Sequence, residues 1–250
     1  VSLGVVNGYD DGSFKPNGTV TRAEMAKMIY VLRTGNSDAS AYNDDKTSFT
    51  DIGSHWARGY IKYCQSLGII AGKSNTKFCP NDKVTAQEAA KMLLVTLGYD
   101  ATKAGLTGAN WASKTNALAD ENGLLEDVNT SFTSACPRQY AAQLIYNAVF
   151  AYTVVLRDGE YTNMKLVTSA GAGADNYNPT IGKKYMGMVE ATGELTAISY
   201  DEDKNEYTYT VGDHVKPALK TSKDYSKLFG LKVKVLYKTT SNKTTVYGMY

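Results

Sequence analysis

Between residues 54 and 98 the apolar positions keep helical spacing twice, with a polar stretch between. Tyr60, Ile61, Cys64 and Leu67 recur at helical intervals, and Ala89, Met92, Leu93 and Thr96 do so again. The pattern predicts a helix from Trp56 to Leu67, with Ser54 as its N-cap and Gly68 where a helix C-cap falls. A polar loop holding one apolar anchor, Phe78, then leads into a second helix over 85–97. After Tyr152 the period changes to two. Val154–Leu156, an Asp158-Gly159 turn and Tyr161–Val167 read as a hairpin. Ser169–Ala174 reads as a linker or long loop. Strand character returns at Tyr185–Glu190, Leu195–Tyr200, Glu206–Val211, Leu231–Lys238 and Thr244–Tyr250, with a short helix near Tyr225–Phe229. The expected fold is α+β in two domains, 1–152 helical and 153–250 a small antiparallel β-barrel or sandwich.

The helical part repeats itself. Residues 3–33 align with 67–97 without a gap at an offset of 64, pairing Gly4 with Gly68, Phe14 with Phe78, Pro16 with Pro80 and Glu24 with Glu88. Trp56-Ala57 recurs as Trp111-Ala112 and Gly68-Ile69-Ile70 as Gly123-Leu124-Leu125, both at an offset of 55. Phe132 is then paired with Phe78, and the helix from Pro137 with that from Thr85, after a two-residue deletion. The repeats span about 1–35, 49–98 and 109–152, and the first lacks its leading helix. Because one such unit cannot bury its apolar face alone, the three are expected to pack on one another.

The motifs resemble the S-layer homology family. Phe49, Asp51, His55, Trp56 and Ala57 match its opening, Asn7 to Pro16 its loop, and Val20-Thr21-Arg22-Ala23-Glu24 its hallmark helix start. The resemblance implies a pseudo-threefold helical bundle whose inter-repeat grooves hold a pyruvylated secondary cell-wall polysaccharide of Gram-positive bacteria. The candidate ligand set is Gly8, Tyr9, Thr21, Arg22, Glu24, Asp51, Trp56, Trp111 and Arg138.

Each has a blander reading. Thr21 and Glu24 form a capping box, as do Thr85 and Glu88. Arg22 caps nothing and opposes the helix dipole, so an anion held there by free helix N–H groups would remove the conflict. On that reading Arg22→Ala should weaken glycan binding and scarcely change the melting temperature. The second unit has Ala86 in place of Arg22, and the third reads Pro137-Arg138-Gln139-Tyr140. One groove thus reads as intact, one as doubtful and one as disabled. Burial in the bundle is the default for Trp56 and Trp111. Asp51 suits either a turn cap or hydrogen bonds from sugar hydroxyls.

Composition narrows the function classes. The 250 residues are 43% hydrophobic and 21% charged, with net charge +2, which gives no broad field for nucleic acid. No apolar run approaches the roughly 20 residues of a membrane helix. There is no signal peptide, although Val1 need not be the true start. Nineteen tyrosines suit half-exposed strand faces or sugar-binding surfaces. Three free, mostly buried thiols are the preferred reading of Cys64, Cys79 and Cys136, though Cys64 and Cys79 could bridge within one unit. No metal or cofactor is expected: the 7–18 loop puts Lys15 and Gly18 where an EF-hand needs ligands, and 201–206 reads as a charged hairpin turn. Only His55 and His214 could serve as a neutral-pH base, and neither stands in a catalytic motif.

The expected function is non-catalytic attachment at the bacterial cell surface through the wall polysaccharide. One rival is a structural protein whose degenerate repeats mediate homo-oligomeric S-layer or filament assembly. The other makes the β-rich part a piece of a wall-acting hydrolase.

Overall fold

The computed structural model describes residues 1–166, 176–241 and 243–250. The Ser169–Ala174 stretch and the expected strand end at Val167 lie outside the described residues. The chain divides into a helical unit, Gly4–Ile181, and a sheet unit made of Val1–Leu3 with Gly182–Tyr250.

The helical unit contains α1 (Arg22–Thr34), α2 (Arg58–Ser66), α3 (Ala86–Leu97), α4 (Trp111–Glu121) and α5 (Arg138–Val149). The boundary of α3 agrees with the apolar spacing, but α2 begins two residues later than expected and Ser54 does not cap it. No side chain caps it; ahead of the helix, His55 Nδ1 accepts the Ala57 N–H at 3.0 Å while Nε2 lies 2.9 Å from Asn81 Oδ1.

The residue before each cap closes the three repeats into a ring. Val20 N–H donates to Cys136 O at 3.1 Å, Cys136 N–H to Val84 O at 2.8 Å, and Val84 N–H to Val20 O at 3.0 Å. Val20, Val84 and Cys136 are all fully buried, so each bond replaces an otherwise costly orphan donor. Isolated bridges Thr19–Pro137, Thr21–Lys83 and Thr85–Ala135 complete the circuit. A linear solenoid could not return from the third repeat to the first.

The same circuit consumes the first helix donors. Arg22 and Ala23 N–H donate to Asp82 and Pro80 carbonyls (2.9 and 3.0 Å), and Arg138 and Gln139 N–H to Gly18 and Pro16 (2.7 and 3.0 Å). In α3, Gln87 N–H donates to Phe132 O at 3.1 Å. Phe132 therefore occupies the place of Pro80, not of Phe78 as the alignment had it, and Thr130 stands where the anchoring ring would be. Phe78 itself is fully buried against Phe49, with ring centroids 5.4 Å apart.

A short hairpin, β1 (Val155–Arg157) with β2 (Glu160–Thr162), lies in the helical unit. It is tied there by Val154 N–H to Leu97 O at 2.9 Å. Gly98 makes the approach possible, since a Cβ on it would come within 2.3 Å of Val154 O.

After α6 (Ile181–Met186), the sheet unit is one antiparallel sheet. Its strands are β3 (Val189–Asp201), β4 (Glu206–Val211), β5 (His214–Thr221), β6 (Lys232–Thr240) and β7 (Lys243–Met249), in order β5-β4-β3-β6-β7. Leu195, Val211, Leu219 and Val235 are fully buried at its core. The α+β class holds, and among the described residues the five strands form one sheet that does not close into a barrel. The edge strands β5 and β7 approach within 8 Å, yet no hydrogen-bonded ladder joins them among the described residues.

Two local readings are also corrected. The expected strands at 185–190 and 195–200 are the C-terminal part of α6 and a single long β3. Gly193 suggests a break but permits a close crossing, because a Cβ there would lie 2.7 Å from the Gly212 backbone. Strand β5 was missed because Pro217 lies inside it, a residue tolerated where the strand is an edge.

If the ring organises the helical unit, the Val20, Val84 and Cys136 amide protons should be among its slowest to exchange and should share one opening free energy. Hydrogen exchange followed by NMR checks this; independent, faster exchange at any of the three would show that the ring is not a cooperative element.

Candidate functional site

Helices α1 and α3 begin alike, Thr21-Arg-Ala-Glu-Met-Ala-Lys-Met28 and Thr85-Ala-Gln-Glu-Ala-Ala-Lys-Met92. In each, the Thr side chain accepts the Glu N–H at 3.1 Å and the Glu carboxylate accepts the Thr N–H at 3.2 Å. The box fixes Glu24 and Glu88 at the helix starts, and Lys27 and Lys91 follow three residues later on the same face.

The arginine facing each carboxylate comes from another repeat. Arg22 Nη1 lies 3.6 Å from Glu88, and Arg138 Nη1 lies 3.8 Å from Glu24. Each guanidinium also covers the anchoring ring of its neighbour's loop, Arg22 over Phe78 at 4.6 Å and Arg138 over Phe14 at 5.6 Å. Arg22 donates further to Phe78 O at 3.0 Å and Ala71 O at 2.6 Å; Arg138 donates to Asn7 O, the matching carbonyl. With Arg22 only 4% exposed and Arg138 7%, both are primarily inter-repeat struts.

Around the Arg22–Glu88 pair lies an open groove of about 270 Å³, lined also by Gly72, Lys73, Lys91, Gly108 and Trp111. Lys73 Nζ is 2.8 Å from Glu88, and Lys91 Nζ is 5.4 Å from the Trp111 ring centroid. Burial lowers the Lys91 pKa; Glu88 opposes that shift and Arg22 adds to it. Burial likewise lowers that of Arg22, against the pull of Glu88. The equivalent positions about Arg138–Glu24 are Gly8, Tyr9, Lys27, Gly53 and Trp56, with Lys27 Nζ 6.0 Å from the Trp56 ring. In both, an indole and an ammonium flank a buried guanidinium paired with a partly exposed carboxylate, a combination suited to a sugar face and an anionic substituent.

The third position keeps none of four of these side chains. Ala86 replaces the arginine, Tyr140 the glutamate, Gln143 the lysine and Thr130 the anchoring ring. Arginine and glutamate are missing from the same interface although they belong to different repeats.

The candidate residues thus fall into two sets. Gly8, Tyr9, Glu24, Trp56 and Arg138 stand about the Arg138–Glu24 pair and Arg22 and Trp111 line the groove at Arg22–Glu88, while Thr21 caps α1 and Asp51 lies in neither set. Arg22 does not face the Glu24 of its own helix. The free N–H groups expected beside it are already paired, so they offer nothing to an anion. Trp56 is 54% exposed rather than buried by the bundle, and Trp111 is half-buried. Asp51 caps a turn, accepting the Phe78 and Cys79 N–H groups at 3.0 and 2.8 Å. Burial raises its pKa, but those two bonds, its own backbone N–H and the Lys77 charge together outweigh it and the net shift is downward. Gly8 is required by its loop, since a Cβ would come within 2.8 Å of Ser13 O. Lys27, Lys73, Glu88 and Lys91 were missed, although the repeated Glu-x-Ala-Lys-Met in α1 and α3 was a readable signal for three of them.

Elsewhere, Cys64, Cys79 and Cys136 are free, and burial pushes the Cys64 thiol up to about 12. No group of three His, Cys, Asp or Glu side chains suited to a metal occurs among the described residues. No helix among them is long and apolar enough to cross a membrane.

The buried strut overturns the expected indifference of stability to Arg22. Arg22→Ala should cost about 3 kcal/mol, because it leaves the Phe78 and Ala71 carbonyls without their donor and removes one of the two cations on Glu88; thermal and urea melts check it, and an unchanged midpoint would contradict the strut. Introducing Ala86→Arg together with Tyr140→Glu should rebuild the missing pair, with a favourable coupling of about 1 kcal/mol in a double-mutant cycle. Zero coupling would mean that the third interface has diverged in backbone as well as in side chains.

Comparison with known proteins agrees with the repeat geometry. The S-layer homology domain family matches residues 1–26 and 48–90. Over 124 residues the chain is 32% identical to a surface layer protein of Brevibacillus choshinensis, covering 49% of this chain and 11% of that one. Over 207 residues it is 27% identical to a cell surface protein of Thermoanaerobacter kivui, covering 79% and 26%. A cellulosome-anchoring protein of Acetivibrio thermocellus is 33% identical over 86 residues, covering 34% and 19%. The chain thus spans about a quarter or less of the length of these relatives. Residues 1–26 and 48–90 are S-layer homology domain sequence, and the relatives that the chain resembles are surface-layer and cell-surface proteins.

Proposed function

We propose that the helical unit anchors the chain, without catalysis, to an anionic polysaccharide of a Gram-positive-type cell wall, and that two of its three grooves do the binding. The observation that carries this is the duplicated Lys–Trp pair beside a duplicated inter-repeat Arg–Glu pair. The arginines hold the repeats at fixed distance, which leaves the lysines and indoles to meet ligand. A half-exposed indole offers a flat apolar surface to a sugar ring, and an ammonium beside it suits a carboxylate such as a pyruvate ketal on the glycan. The surface layer and cellulosome-anchoring names of the relatives support attachment at the cell surface. The sheet unit serves on this reading as spacer or second contact surface. His55 and His214 are both engaged in structural bonds, to Asn81 and to Pro217 O, which supports a non-catalytic role.

Cosedimentation with purified wall sacculi tests the reading. Lys27→Ala with Lys91→Ala should weaken binding about tenfold or more, the loss of two charge-assisted contacts, without lowering the melting temperature. Retention of parental binding by the folded double variant would overturn it.

A further inference from the structure

The two grooves are built on one backbone plan but differ in charge. Position 73 and position 9 are equivalent, and each loop closes with the same hydrogen bond, Lys73 N–H to Lys77 O and Tyr9 N–H to Ser13 O, both 2.8 Å. In the second groove Arg22, Lys73 and Lys91 surround one carboxylate, Glu88. In the first, Arg138 and Lys27 accompany Glu24, and position 9 is an uncharged Tyr. The nearby Lys15, 4.3 Å from the Tyr9 ring centroid, is itself paired with Asp11 at 3.6 Å and adds no net charge. At equivalent positions the second groove therefore has one more cationic side chain than the first, Lys73 in place of Tyr9. Lys73 bonds Glu88 with one of its three donors, and its side chain stays 42% exposed.

We propose that Lys73 and Tyr9 set different ligand preferences: with Lys73 added to Lys91 the second groove depends on a saccharide carboxylate more strongly than the first, where Lys27 is the lone ammonium and position 9 is an uncharged Tyr. This rests on the polysaccharide reading above. A polymer carrying its anionic substituent on only some residues would be gripped at two unlike points along its length. Two linked contacts of moderate strength then hold far more tightly than either alone.

The chain supplies its own reporters, since Trp56 and Trp111 are its only tryptophans and one stands in each groove. Trp56→Phe leaves the second groove visible by fluorescence, and Trp111→Phe leaves the first. Each would be titrated with polysaccharide released from purified walls, untreated and with its carboxylates methyl-esterified. The Trp111 signal should lose about tenfold in affinity on esterification and weaken with added salt, while the Trp56 signal changes less than about threefold. Lys73→Tyr should reduce that sensitivity at Trp111 to the level seen at Trp56, and Tyr9→Lys should raise it at Trp56. Equal responses of both reporters to esterification, or a Lys73→Tyr variant still as sensitive as its parent, would overturn the charge division and leave polysaccharide binding standing. Silence of both reporters toward the untreated polymer would sink the anchoring reading and this inference with it.

Discussion

Three backbone hydrogen bonds, Val20 to Cys136, Cys136 to Val84 and Val84 to Val20, are the constraint on which the helical unit depends. They sit at fully buried positions one residue ahead of each cap, where a missing partner would cost about 1–3 kcal/mol per orphan group. Once they form, each helix start is pressed against the loop of the next repeat. Its leading N–H groups are then satisfied by that loop's carbonyls. Arg22 and Arg138, one residue past the cap, are thereby delivered to the neighbour's carboxylate rather than their own. Each groove belongs to an interface, and no single repeat contains one.

That geometry explains which repeat lost what. Judged repeat by repeat, the second appears damaged at Ala86 and the third at Tyr140, which suggests two failing sites. Judged interface by interface, both changes fall at one junction, and the two others keep a full set. A lone Arg or Glu left at the third junction would be a partly buried charge without its partner, an arrangement that is strongly destabilising. Loss of one makes loss of the other favourable.

Much of the fold was legible because it is local. The 3.6-residue spacing, the Thr-x-x-Glu boxes and the offset of 64 placed α3 within a residue, and the period of two located β4. What was not legible depends on contacts distant in sequence. The Arg22 donors meet Ala71 and Phe78, some fifty residues away, and no helix-dipole reasoning about one segment can find them. Trp56 looked like core because indoles usually are, yet the packing leaves it half outside. Gly193 and Pro217 carry turn signals that the sheet overrides, one through a close strand crossing and the other at an edge. In the site, Glu24 was readable from its cap and Arg138 from its repeat position, but not that the two meet.

The central claim is that two inter-repeat grooves, and not the third, meet the wall polymer. Titrating the isotopically labelled chain with released wall polysaccharide, and following its side-chain NMR signals, tests it most directly. The account predicts that the indole N–H signals of Trp56 and Trp111 both shift, while the side-chain amide of Gln143 in the third interface stays fixed. Shifts centred on Gln143, or on the exposed Tyr200 of the sheet unit with both indoles unmoved, would contradict it.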